Sequence, residues 1–576
     1  MQKLQLLLVF FLINVGLNAQ ATEAIKAYLD AYAQHDRLSG TVLVKQAGQT
    51  TFQAAYGCSD YQKGIPNTLE TVFNIGSLSK QFTAAAILHL VEAGKVNLNT
   101  AINEYLGPYA SKNWKKVTVH HLLTHTSGIP SLLQSGQGLD HVFPEERVIE
   151  LAELISFFQD LKLRSKPGRK YSYNNSGYVL LAAIIEQVSG QSYGNYLETY
   201  LFQPNGLTRT SHSGQNAKLL ALAHYNYTEN QRKAAPALDP SWFIGAGSIY
   251  STIGDLARWN QFIHSTNFLN ADLRAVFFKP HKTSGNDKSY AYGWEIIRSE
   301  GKRFIHHDGT TFGYTCDFLY EPKTKKLSII LTNQTHESLS LLGNSEGFIR
   351  QTNYELLQIV DGKEISTLPS LTAIDDHVQA GIYQFQSDYK LSIQKENGEW
   401  MVEGLKSPLI YAYERPLVLE TPLQQSAGRA VDALVKKRFW KFAKEADGTL
   451  KTLSYLGIMR LGLNSVMKGM GKWQRAVLYD QQASTFYYRV FCENGIVDFS
   501  LHYNEKDKIQ GVFDFARSGT EYQQFPKKMT AKVTAEGLYL NGFAYGNTDI
   551  TLRFTKDKNL LFKHGNRVFK GKLVKN

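Results

Sequence analysis

Ser77-Leu78-Ser79-Lys80 stands at the start of a predicted helix that runs to Glu92, its helical pattern carried by Gln81 to Glu92 (QFTAAAILHLVE), with Gly94 placed to end it. Helical positions i and i+3 share a face, so Ser77 Oγ and the Lys80 amine can meet. A serine beside a lysine is a nucleophile beside its base, provided burial lowers the lysine pKa. The helix N-terminus also turns free N–H groups toward Ser77, which helps a developing anion. By itself the tetrapeptide is better read as an exposed helix start, since SxxK arises by chance in many chains. A second cluster is Tyr173-Asn174-Asn175, in KYSYNNSGYVLLAAIIEQVSG. A phenol held near a lysine can act as general base and then general acid. The Asn175 amide can bind a substrate carbonyl; the ordinary alternative is a loop tyrosine followed by a helix-capping Asn. A third is His307-Asp308-Gly309-Thr310, in FIHHDGTTFGYTCDFLY. A strand carrying Gly can lie against a substrate and offer it backbone N–H groups. His307 would share a proton or orient the substrate, and the neighbouring His306 reads as an ordinary surface histidine on a strand.

These residues need a scaffold, and the chain supplies two textures. From residue 22 to about 365, helical and strand patterns mix. Tyr178 to Val188 (YVLLAAIIEQV) predicts a second apolar helix, and SGTVLVKQ and KLSIILTN read as strands rich in β-branched residues. That mixture predicts an α/β or α+β unit around a buried sheet. After residue 365 helical periodicity fades. Short alternating runs are split by Asn397-Gly398, Asp447-Gly448 and Asn494-Gly495, which are hairpin signals. About 200 residues of this kind predict one or two antiparallel barrels or sandwiches, divided near residue 472 into 366–472 and 473–576.

The three clusters, in this order, resemble the serine β-lactamase-like hydrolases: class C β-lactamases, D-alanyl-D-alanine carboxypeptidases, related esterases and D-aminopeptidases. FNIGSLSKQFTAAAILHLVEAGKVNL is similar to the family's nucleophile helix, and VTVHHLLTHTSGIPSL to its HTSG segment, here His125 to Gly128. GAGSIYSTIGDLARW from Gly245, YGWEI from Tyr292 and IILTN ending at Asn333 are similar to later segments, so the resemblance spans roughly residues 25 to 340. It implies an antiparallel sheet flanked by helices. It also implies Ser77 as the acylated nucleophile, Lys80 and Tyr173 sharing its proton, and Asn175 holding the substrate amide. The backbone N–H groups of Ser77 and Thr310, beside Gly309, would form the oxyanion hole. His307 departs from the lysine of the Lys-Thr-Gly pattern. A mostly neutral His binds a carboxylate less well at pH 7, which counts against β-lactamase action.

Other patterns carry less. Gly190-Gln191-Ser192-Tyr193-Gly194 matches GxSxG, but an apolar helix precedes it where a nucleophile elbow needs a strand, so a helix-to-helix turn is expected. His121 and His125 are spaced like a zinc pair, but Leu122 stands where HExxH needs Glu. No metal and no cofactor are expected. Lys436-Lys437-Arg438 reads as a solvated strand end, and no phosphate-binding loop occurs.

The 576 residues carry a net charge of +12, of which about +9 falls after residue 370. Lys3, an apolar run from Leu4 to about Leu17 and Ala19-Gln20-Ala21 read as a secretory signal peptide over residues 1–21. The expectation is an exported protein, periplasmic or extracellular, with no integral membrane segment after cleavage and no nucleic-acid partner. Cys58, Cys316 and Cys492 are too few for a disulfide framework and read as free thiols. The expected substrate is a small peptide with a D-residue, such as a peptidoglycan fragment, or a small ester. A slowly acylated binding or sensing protein is the rival class.

Overall fold

In the computed structural model the described residues are 19–365, apart from 36, 132–146, 215–218, 229–230, 236–238, 285–286 and 337–344. Beyond residue 380 they are the strands and a few isolated positions. The chain divides into two units, Met1–Leu368 and Pro369–Asn576.

The first unit is built on an eight-stranded sheet. Its spatial order is Lys282–Thr283, Lys288–Tyr290, Glu295–Ser299, Lys302–Thr311, Tyr314–Glu321, Lys326–Thr332, Gly40–Gln46 and Gln49–Tyr56. Every neighbouring pair is antiparallel. All seven residues of Lys326–Thr332 are buried, because both faces of the sheet are covered. On one face Leu43, Ile305, Phe318 and Ile329 join the main core with the helices Ser79–Glu92 and Asn175–Ser189. On the other, Val42, Val44, Phe304 and Leu319 meet Ile25 and Leu29 of a helix over 19–34, and Ile349 and Leu356 of the helix Ser345–Val360. The result is a three-layer unit, helices on both sides of an antiparallel sheet.

The helix Ser79–Glu92 buries residues all round its circumference, from Ser79 to Leu88 without a break. A helix apolar on every side belongs inside a core rather than on a surface. It starts two residues earlier than the hydrophobic pattern suggests, and Asn175–Ser189 starts three earlier. The extra residues, Ser79-Lys80 and Asn175-Ser176-Gly177, carry no hydrophobic side chain and lie in the first turn, where periodicity gives no signal. Asn174 caps the second helix by accepting from the Gly177 N–H at 3.3 Å, and Gly190 ends it in the left-handed conformation.

In the second unit eight strands pair in a ring and close a barrel: Gly381–Gln384, Lys390–Glu396, Glu399–Leu405, Lys528–Thr534, Gly537–Leu540, Ile550–Phe554, Asn559–His564 and Arg567–Lys575. Trp473–Gln482, Thr485–Cys492, Gly495–Tyr503 and Ile509–Ser518 form a separate four-stranded sheet. The barrel is therefore assembled from both sides of residue 472, since Glu399–Leu405 pairs with Lys528–Thr534. The strands flanking Asn397-Gly398 pair with each other, as do those flanking Asn494-Gly495. Asp447-Gly448, Lys436-Lys437-Arg438 and residues 1–18 of the expected leader over 1–21 lie outside the described residues, as does the Cys492 side chain. Cys58 and Cys316 are free thiols.

Candidate active site

Ser77 sits in a single 3-10 turn, Gly76–Leu78, that leads directly into the helix Ser79–Glu92. It is half-buried while its neighbours Gly76, Leu78, Ser79 and Lys80 are buried, so it is the residue of this turn that reaches solvent. Gly76 has φ +51, a conformation that favours glycine, and a Cβ there would lie 2.8 Å from the Thr310 nitrogen. Gly309 is equally constrained: a Cβ would come within 2.1 Å of the Ile75 carbonyl oxygen. The two glycines let the strand Lys302–Thr311 press against the serine turn.

Lys80 Nζ donates to Ser77 Oγ at 2.8 Å and to the Ala246 carbonyl at 2.8 Å. Tyr173 OH donates to the same Ser77 Oγ at 2.8 Å. Lys80 is fully buried, with its Nζ 4.8 Å from the centroid of the Tyr173 ring. Ser77, Lys80 and Tyr173 thus converge on one oxygen, although Tyr173 is 96 residues away in sequence. Burial pushes the Tyr173 phenol well above its ordinary value, and the Ser77 hydrogen bond only partly offsets this. Asn175, in the first turn of its helix, has a buried Oδ1 with no hydrogen-bond partner. A buried unpaired acceptor in a functional cleft is a place for a ligand donor.

His307 reaches the same cleft from the strand Lys302–Thr311. Its Nδ1 lies 2.6 Å from the Asp308 carbonyl and its Nε2 3.0 Å from Tyr290 OH. The carbonyl can only accept, so Nδ1 carries the proton and Nε2 accepts from Tyr290. Burial pushes His307 down to about 4, against the raising effect of Asp308 and Glu295. Its ring stands 6.2 Å from that of Tyr173, so it adjoins the Lys80 and Tyr173 pair without bonding to Ser77. The adjacent strand Glu295–Ser299 pairs with Lys302–Thr311 only as far as His306. Residues 307–311 therefore keep the Tyr314–Glu321 neighbour on one side and, among the described residues, have no strand on the other. Thr310 lies on this free edge beside Gly76, where an exposed strand edge can present N–H groups to a ligand.

His306 is not the surface residue expected from the sequence. It is fully buried, with Nδ1 3.0 Å from Glu295 and Nε2 2.7 Å from Asp317. The alternation of the strand does turn it away from His307, but that face is covered by the helix Ser345–Val360. Although burial opposes it, the two carboxylates raise His306 to about 9. Lys288 bonds Glu295 at 2.9 Å, and Arg350 bonds Asp308 at 2.7 Å. Glu295, His306 and Asp308 offer ligand atoms within 4.8 Å of one another, a spacing open to a metal ion, but all three are engaged in these ion pairs.

Sequence reasoning gave His125 no role beyond the HTSG resemblance. It is buried with φ +55, its Nδ1 accepts from the Asn174 N–H at 3.1 Å, and its ring lies 4.4 Å from that of Tyr173. Burial, then Lys80, then His307 hold it well below the usual histidine value. His121 instead accepts from the Thr118 N–H, so the two histidines serve separate local contacts. Tyr290 and the Ala246 carbonyl were also missed, since neither residue type signals chemistry alone. Ser192 of the GxSxG pattern N-caps the short helix Tyr193–Leu197, as the helix-to-helix turn requires.

A profile of the Beta-lactamase family matches residues 21–344. The chain belongs to the β-lactamase family. It is thereby a member of a family of serine hydrolases. It is similar to penicillin-binding protein 4* of Bacillus subtilis, 25% identical over 331 residues covering 54% of this chain and 72% of that protein. It is also similar to the protein flp of Staphylococcus aureus, 26% identical over 359 residues, 60% of this chain and 68% of that one. Among solved structures, an octameric penicillin-binding protein homologue from Pyrococcus abyssi matches with TM-score 0.54 and 19% identity, covering 86% of this chain and 98% of that one. A D-amino acid amidase from Ochrobactrum anthropi SV3 matches with TM-score 0.51 and 20% identity, covering 59% and 98%. At these identities the structural matches speak for the fold.

Proposed function

We propose that this protein hydrolyses amide or ester bonds through an acyl-enzyme on Ser77. The observation that carries the reading is the double hydrogen bond to Ser77 Oγ from Lys80 and Tyr173. Ser77 attacks the substrate carbonyl carbon, and its proton passes to Lys80 in its amine form. Tyr173 is the poorer base, because burial makes its phenolate costly. It is suited to hand a proton to the departing amine or alkoxide while taking over the one that Lys80 gained, so that no phenolate is left and Lys80 returns to its amine form. The Ser77 and Thr310 N–H groups receive the oxyanion, and Asn175 holds the amide beside the scissile bond. Water then attacks the ester carbonyl, and the acid leaves as Ser77 regains its proton.

The proposed substrates are small peptides with a D-residue, including peptidoglycan fragments, met outside the cytoplasm after removal of the leader over 1–21. Small esters or amides are the second reading, and the neutral His307 favours it. With Nε2 already filled by Tyr290, His307 offers no cation to a substrate carboxylate. The test is turnover of D-alanyl peptides, their L-counterparts, a chromogenic cephalosporin and a nitrophenyl ester by the mature chain, beside Ser77→Ala. Loss of all turnover in the variant supports the acyl-enzyme, and full retention refutes it. Equal rates on D- and L-peptides remove the D-peptide reading.

A further inference from the structure

One buried side chain touches each of the three segments that build the site. Asn74 is 5% exposed and lies in the short strand Phe73–Asn74, two residues before the Ser77 turn. Its Oδ1 accepts from the Gly76 N–H at 2.8 Å and from Thr311 Oγ1 at 3.2 Å. Its Nδ2 donates to the Gly247 carbonyl at 3.3 Å. A backbone N–H can only give and a carbonyl can only take, so these partners fix which amide atom is oxygen and which is nitrogen. Gly76 precedes Ser77, and Thr311 follows Thr310. Gly247 follows Ala246, whose carbonyl takes the Lys80 ammonium. One planar amide therefore spans the nucleophile turn, the strand edge opposite it and the loop that anchors the lysine.

We infer that Asn74 is a positioning residue that sets the spacing between the Ser77 and Thr310 N–H groups, and so the strength of the oxyanion hole. This rests on the Ser77 acyl-enzyme reading. The Gly76 N–H bond holds Gly76 at φ +51, which orients the next peptide, the one that carries the Ser77 N–H. The Thr311 bond holds the strand against that turn at the residue beside Thr310. Among side chains of this length only the Asn amide offers an acceptor and a donor in one flat group without adding charge; Gln has the same amide one methylene farther out. A misplacement of about 1 Å at such a site lowers a rate by roughly 10²-fold.

The test compares p-nitrophenyl acetate with p-nitrophenyl thionoacetate on the wild-type chain, Asn74→Ala, Thr311→Val and Ser77→Ala. Sulfur in place of the carbonyl oxygen accepts hydrogen bonds poorly, so an intact oxyanion hole strongly prefers the oxygen ester. Asn74→Ala is expected to lower kcat on the oxygen ester by about 10²-fold and Thr311→Val by about tenfold, with KM within about threefold. Both variants should also narrow the oxygen-to-sulfur preference, which a merely structural loss of folded protein leaves unchanged. Thr311→Val keeps shape and removes one arm only, so it decides the matter where Asn74→Ala fails to fold. Unchanged kcat and unchanged preference in Thr311→Val, with Ser77→Ala inactive, overturn the inference alone. An active Ser77→Ala, or a wild-type chain that turns over neither ester, overturns the reading beneath it as well.

Discussion

Gly309→Ala measures how tightly the strand edge must press on the nucleophile turn. The added Cβ would stand 2.1 Å from the Ile75 carbonyl oxygen and 3.0 Å from Leu78 Cδ1. Real Cβ atoms essentially never approach closer than 3.0 Å, so the strand must retreat by about 0.9 Å. The retreat falls beside Thr310, whose nitrogen packs on Gly76. If the Thr310 N–H is the oxyanion donor proposed above, a displacement of that size lowers kcat by roughly 10²-fold, about 2.7 kcal/mol of transition-state stabilisation. The strain of overpacking costs about 1–3 kcal/mol of stability in addition. The assay is kcat and KM on p-nitrophenyl acetate, with circular dichroism and a thermal melt to show that the variant folds. The expected result is a folded protein whose loss is almost all in kcat. A folded Gly309→Ala with kcat within twofold of wild type would refute the assigned oxyanion geometry.

Three further outcomes follow from the same structure. With His307 held at about 4 by burial, kcat/KM should show no inflection from this residue between pH 6 and 8; an inflection near pH 6.5 that His307→Gln removes would contradict the buried neutral ring. His306 is raised to about 9, so its stabilisation is complete below its unfolded value near 6.5, declines between there and 9, and is absent above. Urea unfolding of the wild-type chain should lose up to about 3 kcal/mol across that window, and His306→Gln should lack that dependence while being less stable by about 3–5 kcal/mol at pH 6. Ser192→Ala should keep full hydrolytic activity while losing about 1 kcal/mol of stability as a missing helix cap; an inactive but folded variant would reinstate the GxSxG serine.

Part of the candidate site's geometry was legible because it follows from short local spacings. Ser77 and Lys80 meet because i and i+3 share a helical face, which needs no knowledge of the fold. Tyr173 and His307 were legible only as members of an ordered set, since nothing near them in sequence shows that they reach Ser77. Asn74, Ala246 and Tyr290 were not legible at all. Asn74 finds its partners 173 and 237 residues away, and Lys80 finds the Ala246 carbonyl 166 residues away. The barrel shows the same limit. Hairpin pairings were readable from two-residue turns, whereas the joining of Glu399–Leu405 to Lys528–Thr534 skips over a whole inserted sheet.

The misplaced His306 shows what period-2 reasoning leaves out. Alternation correctly separates His306 and Asp308 from His307 and Gly309, but it cannot say whether the far face meets water or a second helical layer. Here it meets the helix Ser345–Val360, and the consequence is electrostatic. Asp308 stands directly across from Asp317 in the strand register, a like-charge pair that destabilises a sheet when left alone. Both acids are answered: Asp308 by Arg350, and Asp317 by His306 at 2.7 Å and by the Asn353 amide at 2.6 Å. Glu295, facing His306 across the other strand, takes Lys288 as well. Three carboxylates are thus matched by three cations in a layer immediately behind the edge that carries Gly309 and Thr310. A buried ion cluster is weak evidence of net stability, because desolvation offsets most of its attraction. Its geometric effect is firmer. Sliding the strand Lys302–Thr311 by one residue would turn His306 and Asp308 toward the nucleophile helix and strand Arg350 without its acid, so the cluster admits one register only, and that register puts Gly309 against Ile75.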